Sequence, residues 1–198
     1  MIVILGESAS GKTSLVNDLI KSNPVYQKVV TYTTRPMRPG EVDGVDYHFV
    51  DEKTYLGLQK EGFFAESAEY RGWYYGTPAD ECKKPNSIII LTPHGLRTLK
   101  ALGYEIISVY LYVDRRSRLI NLLCRGDDIE EAYRRSLSDV GQFDGVEDEV
   151  DYIIDNTKYQ MTEEDVLQCL KNILIVKSPE TEYEQMSMFE NGEKIENV

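Results

Sequence analysis

MIVILGESASGKT, residues 1–13, sets a run of five apolar residues directly against a glycine-rich turn. Leu15, Val16, Leu19 and Ile20 then recur at helical spacing. The stretch therefore reads as buried strand, loop and helix. Gly6, Gly11, Lys12 and Thr13 complete the pattern GxxxxGK followed by Ser or Thr. Glycines let backbone amides turn inward around an anion, and the helix that follows adds the positive end of its dipole. The loop Gly6, Glu7, Ser8, Ala9, Ser10, Gly11, Lys12 and Thr13 is thus expected to hold nucleotide phosphates. Lys12 would reach the β- and γ-phosphates, and the Thr13 hydroxyl would go to magnesium. ATP and Mg2+ are the cofactors this implies.

Working outward, apolar runs at 1–5, 28–32, 87–91, 105–112 and 152–154 read as strands, and helical patterns occupy 12–22, 94–101, 114–124, 128–138 and 162–175. Strands alternating with helices predict an α/β fold, a parallel sheet covered on both faces. In SIIIL (87–91) the apolar residues are continuous, as a strand buried on both sides requires. Thr162 with Glu163, Glu164 and Asp165 behind it marks the start of the last helix, whose buried stripe would be Val166, Leu167, Leu170, Ile173 and Leu174. Residues 33–77 break the alternation. Asp43-Gly44 and Arg71-Gly72 are turn signals there, so this segment reads as a small antiparallel insert, crowded with tyrosine and arginine. Residues 178–198 are acidic without apolar period and read as a mobile tail.

The chain has 198 residues, with 22 Lys and Arg against 34 Asp and Glu, a net charge of −12. That argues against nucleic-acid or anionic-membrane partners. Cys82, Cys124 and Cys169 are odd in number and widely spaced, without metal-type pairing, which suits a reduced cytoplasm. The opening apolar run reaches the glycine loop at once, so no signal peptide is expected, and no run approaches the roughly twenty residues a membrane span needs. Lysine scatters but arginine clusters: Arg35 and Arg38 in one place, then Arg115, Arg116, Arg118, Arg125, Arg134 and Arg135. Guanidinium binds phosphate directionally, so clustered arginine in an acidic chain points to small phosphorylated ligands.

TYTTRPMRPGEVDGVDYHF (31–49) closely resembles the GMP-binding region of guanylate kinases. FFAESAEYRGWYYGT (63–77) resembles that family's next block, RGDD with the arginines shortly after it (125–135) its lid, and DYIIDN (151–156) its last strand. The blocks keep family order over residues 1 to about 175. The resemblance implies a P-loop fold with a GMP-binding insert (about 33–77), a helical lid (about 125–138) and a core of 1–32, 78–124 and 139–177. It implies an ATP:GMP phosphotransferase, acting on GMP or dGMP as monomer or homodimer. Chemistry gives the motifs independent sense. Pro36 and Pro39 keep Arg35 and Arg38 from a helix, so both can converge on one phosphate, and Tyr47 and Tyr75 can add hydroxyl donors. By resemblance these four grip the GMP phosphate, Glu66 accepts from guanine N1–H and its exocyclic amine, and Thr31 contacts the base from the other side. Arg125 aligns with the lid, and Arg134 and Arg135 share the next lid position.

One segment departs from the family. Guanylate kinases carry DxDxxG at the end of the third parallel strand, where this chain reads IIILTPHG (88–95), placing Ile90 and Thr92 at the two aspartates. Thr92 can still make one hydrogen bond to the base. Losing a carboxylate there costs base discrimination on the order of 1–3 kcal/mol. Two alternatives stay open: a P-loop kinase with another acceptor, another nucleoside monophosphate or a ribose bisphosphate, and a noncatalytic scaffold of the kind some guanylate-kinase-like domains form. The intact GESASGKT loop speaks against the scaffold, and Glu66 against a base-free acceptor.

Overall fold

The computed structural model describes residues 1–176, apart from 39, 71, 125, 127 and 128 and the side chain of residue 131. The chain runs β1 (Ile2–Leu5), α1 (Lys12–Ser22), β2 (Gln27–Lys28), β3 (Tyr32–Thr33), β4 (His48–Phe49), α2 (Glu52–Lys60), β5 (Phe64–Tyr70), β6 (Trp73–Pro78) and α3 (Ala79–Cys82). It continues through β7 (Ser87–Ile90), α4 (Pro93–Ala101), β8 (Ile107–Tyr112), α5 (Arg115–Cys124), α6 (Ile129–Ser138), β9 (Tyr152–Asp155) and α7 (Glu163–Val176).

Five strands form a sheet in the order β2-β7-β1-β8-β9, every pair parallel. Alternation along β1 divides the core. Ile2 and Ile4 join Leu15, Val16 and Leu19 of α1 and Leu167, Leu170 and Leu174 of α7 on one face. Val3 and Leu5 join Leu96 and Leu99 of α4 on the other. A strand covered on both sides needs apolar residues at successive positions, which is why MIVIL and SIIIL are continuous. The chain leaves β1 through α1 toward β2 on one side, and reaches β8 on the other side from β7 through α4, so the strand order reverses beside β1. The crevice beyond its carboxyl end is therefore the place where such sheets bind ligands. α7 starts as its sequence predicts: Thr162 N donates to Asp165 Oδ2 at 2.9 Å, and Asp165 N donates to Thr162 Oγ1 at 3.2 Å.

The apolar run 28–32 is not one strand. β2 lies in the parallel sheet, Val29 N still donates to Ile88 O at 2.8 Å, and by Tyr32 the chain belongs to a second sheet. That second sheet, β4-β3-β6-β5, is antiparallel except for the β3–β4 pair at its edge. The turn at Gly72 (φ 73) joins β5 to β6 with Tyr70 opposite Trp73. Gly44 (φ 75) also turns the chain, but between parallel neighbours, so the loop is closed by side chains: Asp46 accepts from Val42 N and Asp43 from Phe49 N. The second sheet also carries α2, a helix the sequence reading lacked. Asp51 caps it by accepting from Thr54 N at 2.7 Å. Its fully buried Tyr55 stacks on Phe64 and Tyr74 with ring centroids 4.7 and 5.3 Å apart. The bare backbone of Gly76 makes room, since a Cβ there would lie 2.7 Å from the Tyr55 hydroxyl.

Among the described residues no helix is long and apolar enough to cross a membrane. The acidic tail at 178–198 lies outside the described residues.

Candidate active site

The loop leaves β1 at Gly6 with φ 154, and a Cβ there would sit 2.6 Å from Ser10 Oγ and 2.7 Å from the Leu111 carbonyl oxygen. Only glycine fits such a close approach of two chain segments. Ala9 (φ 66) and Gly11 (φ 95) also take positive φ, winding the backbone into a concavity that ends at the first turn of α1. Ala9 carries a methyl group in that strained region, and its carbonyl accepts a 2.5 Å hydrogen bond from the Tyr159 hydroxyl, which Asn121 supports at 3.0 Å.

Lys12 folds back over the loop, donating to the Glu7 carbonyl at 2.7 Å and to Ser10 Oγ at 3.4 Å. Burial disfavours its charge and brings its pKa down to about 8, although Asp139 and Glu7 pull the other way. The Glu7 side chain turns away from the loop's mouth. Its two oxygens accept from Arg118 at 3.1 Å and from the Tyr110 hydroxyl at 3.0 Å. Arg118 also reaches the Val113 carbonyl at 2.9 Å and Asp139 at 3.4 Å. Asp139 in turn takes the Ser8 amide at 2.9 Å and the Ser8 hydroxyl at 3.3 Å. This buried set of one guanidinium and two carboxylates ties the loop to α5 and to the end of α6. Burial first, then the Glu7 charge, drives the Tyr110 pKa upward.

Across the cleft, Arg35 is buried beneath the second sheet. Its guanidinium meets both oxygens of Glu41, at 2.7 and 3.0 Å, and the Pro36 carbonyl at 2.8 Å. Burial works against its charge, but Glu41 outweighs this and holds its pKa up. The same carboxylate accepts from Arg38 N at 2.7 Å, so one acid fixes both arginine positions. The Arg35 guanidinium lies 5.4 Å from the Tyr47 ring centroid, and that ring is 6.1 Å from Tyr75. Arg38 is disfavoured as a cation by burial, then by Arg135 and Arg35. Cations from the insert and from α6 therefore converge on one volume, an arrangement suited to an anion.

Glu66 is buried on β5. Desolvation raises its pKa, opposed by a 3.0 Å hydrogen bond from Thr77 and by His94. A carboxylate with that environment is poised to accept from paired N–H donors. Thr92 is the N-cap of α4, its oxygen accepting from Gly95 N at 3.3 Å. The hydroxyl hydrogen remains for a second partner. Ile90, at the end of β7, lines the same cleft as a half-buried apolar side chain.

The cleft has a volume of about 700 Å³. It brings together Gly6, Ser8 and Lys12 of the loop with Thr31, Arg35, Arg38, Tyr47, Glu66, Tyr75 and Thr92 of the acceptor side. Arg134 and Arg135 both line it, Arg134 exposed and Arg135 half-buried and close enough to Lys12 to lower its pKa. Arg125 lies outside the described residues. Thr13 is exposed beside Lys12, whereas Glu7 faces a neighbouring cavity together with Tyr110 and Arg118. Sequence reasoning missed Asp139, the loop-bracing contacts of Arg118 (placed there in the phosphate-seeking arginine cluster), Tyr159 and Thr77. The first three reach the loop from more than a hundred residues away along the chain. Thr77 stood in the quoted FFAESAEYRGWYYGT block, opposite Glu66 in the register of β5 and β6.

Comparison with known proteins places these features in context. The family model for guanylate kinase matches residues 1–174. The guanylate kinase of Nostoc sp. is 33% identical over 166 residues, covering 81% of this chain and 83% of that protein. That of Nitratidesulfovibrio vulgaris is 36% identical over 148 residues, 72% of each chain. The crystal structure of guanylate kinase from Anaplasma phagocytophilum superposes with a TM-score of 0.67 at 24% identity, covering 90% of this chain and 86% of that one, and shares its fold.

Proposed function

We infer, from a chain that belongs to the guanylate kinase family, an enzyme that transfers the terminal phosphoryl group of ATP directly to GMP, giving ADP and GDP. The observation that carries this reading is the cleft in which the glycine-rich loop with Lys12 shares a lining with buried Arg35 and half-buried Arg38, Tyr47 and Tyr75. Two nucleotides carrying several negative charges must be held in line, so catalysis here is positioning and charge neutralisation, without a covalent intermediate.

Residues 6–13 cradle the triphosphate through backbone amides, with Lys12 leaving the Glu7 carbonyl for the phosphates. Arg35, Arg38, Tyr47 and Tyr75 orient the attacking phosphate oxygen. Glu66 accepts from the two donors on the guanine edge, a pair that adenine does not present, while Thr31 and Thr92 contact the base on either side. Arg134, Arg135 and Arg125 neutralise the group in transit. dGMP is an equivalent acceptor, because nothing assigned to recognition touches the ribose. The core (1–32, 78–124 and 139–177), insert (about 33–77) and lid (about 125–138) move as separate parts, insert and lid closing to exclude water.

Among the described residues no group of three or more His, Cys, Asp or Glu side chains could hold a metal ion. Magnesium suits this donor set when it arrives on the nucleotide, since it keeps several waters and binds mainly phosphate oxygens, with the Thr13 hydroxyl as protein donor. When bound it would supply positive charge that offsets the charge of the triphosphate. A reducing cytoplasm is the setting we infer, because Cys82, Cys124 and Cys169 are all free thiols.

A coupled assay with ATP against GMP, dGMP, AMP, CMP and UMP tests the assignment. Turnover with GMP and dGMP well above the other three is expected. Activity with AMP and none with either guanine nucleotide overturns it.

A further inference from the structure

Asp139 is a buried carboxylate with no part in the scheme above, and it sits on the loop that binds the donor. It is the residue after α6, the helix that carries Arg134 and Arg135. Its two oxygens each take one donor from Ser8: Oδ2 the backbone amide at 2.9 Å and Oδ1 the hydroxyl at 3.3 Å. A forked pair of donors gripping two anionic oxygens is the pattern that a terminal phosphoryl group also satisfies. Ser8, Lys12 and Asp139 line the same cleft as Arg35 and Arg38. Ser8 therefore borders the cleft that the group to be transferred must cross.

We propose that Asp139 is a built-in competitor for the donor's terminal phosphate, holding the Ser8 donors until that phosphate displaces it. The proposal rests on the phosphotransferase reading. Arg118 makes the exchange feasible. It contacts Asp139 at 3.4 Å and Glu7 at 3.1 Å from behind the loop, so a carboxylate leaving Ser8 still has a buried cation beside it. The neighbouring residues show what the exchange moves. Ser136 accepts from Arg115 at 3.1 Å, and the Ser138 hydroxyl lies 2.6 Å from that of Tyr70 on β5. The end of α6 is thus moored to loop, α5 and insert at once, and releasing Asp139 from Ser8 frees the mooring to the loop. ADP lacks the γ-phosphate that competes at Ser8, so Asp139 returns as the product forms. The device separates substrate from product nucleotide by one carboxylate.

The test is calorimetry on the full chain with a non-hydrolysable ATP analogue and with ADP, both with magnesium, for the wild type, Asp139→Asn and Asp139→Glu. Removing the charge in Asp139→Asn should tighten the analogue roughly tenfold and leave ADP within about twofold. Asp139→Glu, which keeps the charge, should keep the wild-type ratio. If Asp139→Asn weakens both nucleotides alike, or leaves their ratio unchanged, Asp139 is a structural brace and the proposal falls. A second measurement uses the wild type and so does not depend on the variants folding. The Ser8 amide resonance should shift on titration with the analogue and not with ADP, and equal shifts with both overturn the idea. If the wild type binds neither nucleotide, the phosphotransferase reading itself fails, a result distinct from an unchanged ratio.

Discussion

On the proposed assignment, the phosphate loop draws its donors from backbone amides within residues 6–13, whereas the acceptor side draws side chains from residues 31–92, spread over two sheets. In the loop, conformation comes first: positive φ at Gly6, Ala9 and Gly11 winds the backbone into a concavity, and the Lys12 side chain folds back over it. On the acceptor side the backbone is scaffolding and each side chain carries its own share. Arg35 is held by Glu41 and Pro36, and Glu66 by Thr77. The two regions should therefore fail differently. The loop should be intolerant of any atom that alters its path, and the insert should lose function one contact at a time.

The sharpest way to break this contrast is Gly6→Ala, which adds a single methyl group and removes no donor. The new Cβ would meet Ser10 Oγ at 2.6 Å and the Leu111 carbonyl at 2.7 Å, with a φ of 154 that L residues avoid. Displacing the loop by about 1 Å misplaces the phosphates, so kcat/KM should fall on the order of a hundredfold. The melting temperature should drop as well, measured on the same preparation. Near wild-type kinetics would show that the loop's path is not what positions the donor.

Glu66→Gln is the counterpart in the insert, and it keeps size and shape while replacing one acceptor with a donor. A buried amide facing the N–H groups of guanine leaves a donor unpaired, a cost of about 1–3 kcal/mol, or roughly 5- to 150-fold in the KM for GMP. KM for ATP should stay within about twofold, because the loop is untouched. An unchanged KM for GMP would mean that the acceptor is not read through its base, the outcome a ribose bisphosphate acceptor demands.

The same contrast governs what could be read from the sequence. The loop was legible because its residues are contiguous and the strand before and helix after follow from short-range periodicity. The parallel sheet was legible for the same reason, since MIVIL and SIIIL must be covered on both faces. The acceptor residues were legible only through TYTTRPMRPGEVDGVDYHF and its companion blocks, as no spacing rule links Arg35 to Tyr75. α2 escaped because Tyr55 is its one buried residue, so the helix shows almost no apolar period. The run 28–32 misled because β-propensity cannot tell which of two sheets a residue joins. The contacts of Asp139 with Ser8 and of Tyr159 with Ala9 have no local signature at all, being made by chain segments that meet only in the folded state.

The smallest effect separates the two sites by pH. Lys12 has a pKa near 8 because burial opposes its charge. Arriving phosphates favour the ammonium form and raise that pKa in the complex. Below pH 8 the amine is already charged, and binding involves no proton from this group. Above it the free protein has lost the proton and must take one up to bind, so affinity for a non-hydrolysable ATP analogue should fall with rising pH by up to about tenfold per unit. The acceptor side has no such dependence, since Arg35 and Arg38 grip through guanidinium groups that stay charged throughout. Calorimetry at pH 8.5 in two buffers of different ionisation enthalpy counts the protons directly. Uptake of up to about three-quarters of a proton with the ATP analogue and none with GMP is expected. Equal uptake for both ligands would mean that the acceptor pocket titrates too, and that its grip depends on a group other than these arginines.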